Sequence, residues 1–129
     1  MRPVMIAVFV LMSALIAPAH AQQTSGYSTI TIGELALMLG NKDFTMVNVH
    51  IPYEGELPQT DAFIQFDQIA DNLDKLPAAK DAKIVLYCRS GRMSEIAGAT
   101  LAGLGYTNVF HVEGGFNAWS MAGRDLLQQ

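Results

Sequence analysis

The sequence has little cysteine and few basic residues. Cys88 is the one cysteine among 129 residues, so no disulfide can form within the chain. Lys and Arg number 8 against 12 Asp and Glu, a net charge of −4. This balance argues against a broad nucleic-acid-binding surface, which needs clustered basic side chains. Repeats, low-complexity tracts and internal linkers are also absent, and the length permits one small domain.

The one long apolar run stands at the amino terminus. Positions 4–17 are almost entirely apolar, follow Arg2, and precede a small-x-small pattern that ends at Ala21. This is the layout of a secretory signal peptide, and the run is shorter than the about 20 apolar residues of a spanning helix. We therefore expect a signal peptide over residues 1–21 and a single domain over residues 22–129. The expected location is the periplasm or the exterior, with no stable membrane insertion after cleavage.

Helical and strand patterns alternate along the rest of the chain. Thr31 and Glu34 predict a capping box that opens a short helix, which Gly40 ends. Strands are predicted over residues 44–49, 84–87 and 108–110, and helices over residues 66–73, 93–104 and 116–121. The apolar face of the middle helix is predicted to consist of Met93, Ile96, Ala97, Leu101 and Leu104. This order indicates one α/β domain with a mostly parallel sheet.

Cys88 directly follows the predicted strand at residues 84–87 and precedes a helix. Ligands of parallel α/β sheets bind at this edge, where the next helix presents unpaired amides and the positive end of its dipole. Arg89 and Arg92 add positive charge, and Gly91 allows the loop amides to turn inward as an anion-binding nest. A lone cysteine is more often a small buried hydrophobe. Electropositive surroundings of this kind instead favour a nucleophilic thiolate.

Two segments carry a resemblance to a known family. Residues 83–94 read Lys-Ile-Val-Leu-Tyr-Cys-Arg-Ser-Gly-Arg-Met-Ser, and residues 109–119 read Val-Phe-His-Val-Glu-Gly-Gly-Phe-Asn-Ala-Trp. Together they resemble the single-domain rhodanese family of thiosulfate sulfurtransferase-like proteins, and a weaker likeness extends over roughly residues 27–122. The resemblance implies a rhodanese-like α/β fold, with a mostly parallel five-stranded sheet flanked by helices.

The resemblance also implies a thiosulfate:cyanide type of sulfurtransferase. Cys88 would take sulfur from thiosulfate or another sulfane donor as a persulfide, and cyanide, a thiol or a protein would accept it. The implied substrate-binding residues are Arg89, Ser90, Gly91, Arg92 and Met93. The resemblance implies no metal and no cofactor. The alternative function is a persulfide-carrier or protein-interaction module without independent turnover.

The chain departs from the family pattern in several places. Met93 stands where the family often has Arg, Ser or Thr, which removes one polar donor. Asn48-Val49-His50 replaces the usual Asp-Val-Arg, while Glu54 keeps its family spacing. Residues 56–62 replace the usual Gly-His-Ile-Pro-Gly-Ala run. These changes leave Cys88 and the loop glycine intact and point to an altered entry or partner surface.

Two other chemistries fit the sequence less well. Cysteine-based phosphatases need an arginine six positions after the nucleophile, and that position is Ser94 here. His50, His111 and Cys88 are metal-binding residue types, but no short ligand spacing links them. We therefore expect a structural or solvent-facing role for both histidines and no phosphoryl transfer.

Overall fold

The computed structural model describes residues 26–128. The elements in chain order are β1 (Ser28–Ile30), α1 (Ile32–Leu39), β2 (Thr45–Asn48), β3 (Ala62–Phe63), a 3₁₀ helix (Phe66–Lys75), β4 (Ile84–Tyr87), α2 (Arg92–Gly103), β5 (Val109–Val112) and α3 (Gly115–Met121). The predicted signal peptide over residues 1–21 lies outside the described residues, as does the boundary at residue 22.

The five strands form one sheet in the order β1-β5-β4-β2-β3, and every pair is parallel. This confirms the predicted five-stranded α/β fold. β4 is the middle strand, and all four of its residues are buried, as its continuous apolar run predicts. Cys88, which follows β4, therefore lies at the centre of the carboxyl-terminal edge of the sheet.

The first helix begins where its predicted capping residue lies. The Thr31 hydroxyl accepts a hydrogen bond from the Glu34 amide at 3.1 Å, and α1 ends just before Gly40. Within residues 26–128, no helix has the length and apolarity needed to cross a bilayer.

Three local elements differ from the sequence-based expectation. The edge strands β1 and β3 have three and two residues, too few for a periodic pattern to appear. The segment predicted as a helix over residues 66–73 is a 3₁₀ helix, Phe66–Lys75. Its regularity is interrupted at Asn72, with φ −127°, where the side-chain amide donates to the Gln68 carbonyl at 2.7 Å. A local side-chain bond here competes with regular helix geometry.

The buried face of α2 is the predicted one only in part. Ala97 and Leu101 are buried as expected, and Met93 is half-buried. Ile96 and Leu104 are each 42 % exposed, and the helix buries the small residues Ser94 and Gly98 beside Ala97. A Cβ on Gly98 would lie 3.1 Å from the Tyr27 ring, so a glycine there allows this close approach. The expectation was wrong for Ile96 and Leu104 because it ranked residues by hydrophobicity and ignored their size.

Candidate functional site

Cys88 directly follows the carboxyl end of β4. It is the first residue of the cysteine loop, which comprises residues 88–93. Its side chain is 1 % exposed, and its sulfur accepts a hydrogen bond from the Gly91 amide at 3.0 Å. Gly91 has φ +125°, a conformation that side chains rarely adopt, and this turn brings its amide back onto the sulfur. The loop glycine thus has the geometric role that the sequence predicts for it.

A second polar group reaches the sulfur from the first turns of α2. Ser94 is fully buried, and its hydroxyl lies 3.5 Å from Cys88 Sγ. The same hydroxyl donates to the Gly91 carbonyl at 2.9 Å and lies 3.0 Å from His111 Nδ1. The sulfur therefore contacts polar groups on two sides, although the residue belongs to a buried core cluster.

His111 stands on β5, the strand next to β4. It pairs in register with Leu86, two residues before the cysteine. Its Nε2 lies 3.6 Å from the Glu95 carboxylate. Burial lowers the pKa of His111, and the nearby carboxylates of Glu95 and Glu113 oppose this shift. His111 is therefore harder to protonate than a free imidazole, and the neutral ring has one N–H for the two neighbours Ser94 and Glu95.

The Gly114-Gly115-Phe116 turn holds the cysteine loop from the other side. The amides of Phe116 and Asn117, in the first turn of α3, donate to the carbonyls of Cys88 and Arg89, both at 3.0 Å. A Cβ on Gly115 would collide with the Cys88 carbonyl oxygen. The second segment of the family resemblance is therefore a structural clamp on the first.

The remaining predicted loop residues lie on the rim. Arg89, Ser90 and Arg92 are exposed, and Met93 is half-buried. The Arg89 guanidinium lies 3.6 Å from the Glu54 carboxylate. Arg89 and Arg92 are thus exposed cationic side chains of the cysteine loop, and the first of them is paired with Glu54.

The divergent residues at the end of β2 and just after it are linked to the cysteine loop through Glu54. The Asn48 side chain accepts from the His50 amide and donates to the Gly55 carbonyl, each at 3.0 Å. His50 is buried, and its Nε2 lies 3.4 Å from the Glu54 carboxylate without hydrogen-bond geometry. Asn48 therefore fixes this turn, and Glu54 stands between His50 and Arg89.

The replaced segment, residues 56–62, is anchored to the central strand. The buried Tyr87 hydroxyl accepts from the Leu57 amide at 3.0 Å and lies 2.7 Å from the Thr60 hydroxyl. Burial raises the pKa of Tyr87 to about 12, so the phenol remains protonated at physiological pH. The segment is thereby fixed to β4 next to the site.

The two histidines do not converge on the cysteine as ligands. Each faces a different carboxylate, His50 towards Glu54 and His111 towards Glu95. Across residues 26–128, no group of three or more His, Cys, Asp or Glu side chains is arranged to hold a metal ion.

Sequence comparison finds a matching domain family and a curated relative that is longer than this chain. Residues 46–122 match the rhodanese-like domain family. A tRNA uridine(34) hydroxylase from Erwinia tasmaniensis is 33 % identical in an alignment 98 residues long that covers 71 % of this chain and 28 % of that protein. The chain therefore spans a little over a quarter of the length of this curated relative.

Solved structures of similar fold cover most of the chain. A rhodanese-like domain protein from Staphylococcus aureus is 29 % identical with a TM-score of 0.66, covering 79 % of this chain and 99 % of that one. A protein of unknown function from Rhodopseudomonas palustris, a possible tyrosine phosphatase, is also 29 % identical with a TM-score of 0.66, covering 79 % and 86 %.

Proposed function

The chain belongs to the rhodanese-like domain family, and we propose on that basis that it is an exported sulfurtransferase. Cys88 takes a sulfur atom from thiosulfate or a related sulfane donor and passes it to a thiophilic acceptor. The observation that carries this proposal is the hydrogen bond that the Cys88 sulfur accepts from the Gly91 amide at the amino end of α2. A sulfur so placed is stabilised as an anion by an aligned amide and by the helix dipole.

The reaction is a double displacement that needs no redox cofactor. The Cys88 thiolate attacks the outer sulfur of thiosulfate, a new S–S bond forms, and sulfite leaves with the electron pair of the donor bond. Cyanide or a thiolate then attacks the outer sulfur of the persulfide. The bond to Cys88 breaks, and the cysteine leaves again as a thiolate.

The loop supplies the electrostatic part of the reaction. The Gly91 amide faces the sulfur that carries negative charge before attack and after release. The exposed guanidinium groups of Arg89 and Arg92 suit a dianionic donor because a planar fork binds oxyanions with two hydrogen bonds.

Arg92 provides a test of donor binding. We expect Arg92→Ala to raise KM for thiosulfate about tenfold with a smaller change in kcat, because a charge-assisted contact to the donor is lost. Initial rates of thiocyanate formation at low and high salt measure this effect, which should diminish as salt screens the charge.

Arg124→Ala is the matched control for the loss of one positive charge. Arg124 lies outside the cysteine loop in sequence, after α3, with its guanidinium 4.9 Å from the centre of the Trp119 ring. Equal changes in KM for the two variants would refute a specific donor contact at Arg92.

Phosphoryl transfer is the chemistry that the Rhodopseudomonas relative raises. A cysteine-based phosphatase requires a guanidinium six positions after the nucleophile to hold the transferred group. Here that position is Ser94, which is buried and bonded to the Gly91 carbonyl. Sulfur transfer needs no guanidinium at that position, so the cysteine loop favours sulfur transfer over phosphoryl transfer.

The persulfide itself is the sharpest test of the proposal. We expect full-length protein, expressed with its native amino terminus and treated with thiosulfate, to gain the mass of one sulfur atom. Cyanide should remove that mass, and Cys88→Ser should not gain it. Cleavage after Ala21 in the same spectrum would support export, which the sequence of residues 1–21 suggests.

The outcomes of this measurement separate the candidate functions. A stable persulfide with negligible thiocyanate turnover would favour the persulfide-carrier module over the free-standing enzyme. Absence of any added sulfur under all donors tried would refute both.

A further inference from the structure

We propose that Ser94 and His111 form a proton relay for Cys88, in which the Ser94 hydroxyl contacts the sulfur and His111 acts through Ser94 as a positioning residue. The inference deepens the proposed sulfur transfer, because it names the groups that take the thiol proton before attack.

The relay is a continuous row of polar atoms from the buried sulfur to the surface. Cys88 Sγ lies 3.5 Å from Ser94 Oγ, which lies 3.0 Å from His111 Nδ1. On the far side of the ring, His111 Nε2 lies 3.6 Å from the Glu95 carboxylate. The first three side chains are buried, and Glu95 is 54 % exposed.

The proton balance is simple. In the thiol form, Cys88 donates to Ser94 Oγ, the neutral His111 ring carries its proton on Nε2, and the Ser94 proton turns from the Gly91 carbonyl to His111 Nδ1. On ionisation, the S–H bond breaks and a new O–H bond forms at Ser94. The original Ser94 proton moves to His111 Nδ1, which yields a thiolate and an imidazolium. The reverse transfer returns the proton when the site is empty.

The surroundings of His111 suit a ring that is neutral beside the thiol and protonated beside the thiolate. Glu95 on α2 and Glu113 after β5 are the charged groups that face the ring, and both are acidic. The Tyr27 ring packs edge-on against it, with centroids 5.6 Å apart. Burial favours the neutral ring, while the two carboxylates stabilise the imidazolium once it forms beside the thiolate.

The test is a thiolate titration, which requires no sulfur donor. Cys88 is the one cysteine, so the ultraviolet absorbance of thiolate as a function of pH, with Cys88→Ser as blank, reports on this residue alone. We expect Ser94→Ala and His111→Asn each to lower the thiolate population at about pH 7 by about tenfold. The double variant should be no worse than either single variant, because the two groups act in series.

The controls separate a relay from a packing role. Thr100→Val removes another α2 hydroxyl, which donates to the Ile96 carbonyl at 3.0 Å, and should leave the titration unchanged. If His111→Asn does not fold, Ser94→Ala and the exposed Glu95→Gln still test the same row. Titrations that superimpose on the wild type, or additive effects in the double variant, would overturn the relay.

The relay and the proposed function fail in different ways. A shifted titration without persulfide formation would retain the relay and refute sulfur transfer from the donor used. Persulfide formation with unshifted titrations in Ser94→Ala would refute the relay alone.

Discussion

Cys88→Ser should reduce thiocyanate formation from thiosulfate and cyanide to the uncatalysed background, a loss of at least about 10³-fold. The reason is that the hydroxyl of serine does not ionise at neutral pH and its oxygen does not form a sulfur adduct of comparable stability. The sulfur is also buried against the Gly91 amide, so no other side chain can take its position. Initial rates for the two purified proteins measure the loss.

Serine is nearly isosteric with cysteine, so the variant should fold. The circular dichroism spectrum and the unfolding midpoint should match those of the wild type. A match would show that the rate is lost because the thiol is missing, and not because the variant is misfolded. Residual turnover above about a tenth of the wild-type rate would contradict covalent catalysis at Cys88. Cysteine-dependent hydrolysis of an aryl phosphate would instead support the phosphatase chemistry that Ser94 argues against.

Gly115→Ala should lower the free energy of unfolding by at least about 3 kcal/mol. Gly115 has φ +52°, and an added Cβ would collide with the Cys88 carbonyl and lie 2.7 Å from the Arg89 carbonyl. Both contacts are with backbone, which cannot rotate away. The substitution should also break the bond from the Phe116 amide to Cys88 and thereby loosen the cysteine loop. Urea denaturation measures the stability, and the thiolate titration reports on the loop.

Substitutions at two other glycines distinguish the free-energy cost of a positive φ from the cost of a steric collision. Gly123 has φ +78°, but nothing lies within 4 Å of an added Cβ, so Gly123→Ala should cost only about 1 kcal/mol. Gly103 ends α2 with a free Cβ position, and Gly103→Ala should be neutral or slightly stabilising. A cost at Gly115 equal to that at Gly123 would show that the clamp contributes nothing beyond backbone strain.

The central part of the fold could be predicted from local sequence. A continuous apolar run identifies β4 because a middle strand of a parallel sheet is buried on both faces. The Thr31 cap is equally local, since its partner is only three residues away. The edge strands β1 and β3 escaped prediction because their formation depends on pairing with β5 and β2, and their own sequences are too short to indicate it.

The candidate site was likewise predictable only where it depends on residues adjacent in sequence. The position of Cys88 and the turn at Gly91 follow from adjacent residues, and both were predictable. The contact between Ser94 and His111 was missed because it requires the register that pairs Leu86 with His111 across two strands. A histidine within the apolar run of β5 was the available signal, since a buried polar side chain needs a partner.

The clamp on the cysteine loop determines when the loop takes up its folded conformation. The amides that hold the carbonyls of Cys88 and Arg89 belong to Phe116 and Asn117, in the last helix of the described chain. While the chain is being synthesised, Cys88 emerges well before these partners. The backbone of the cysteine loop therefore acquires these two hydrogen bonds only after α3 has docked.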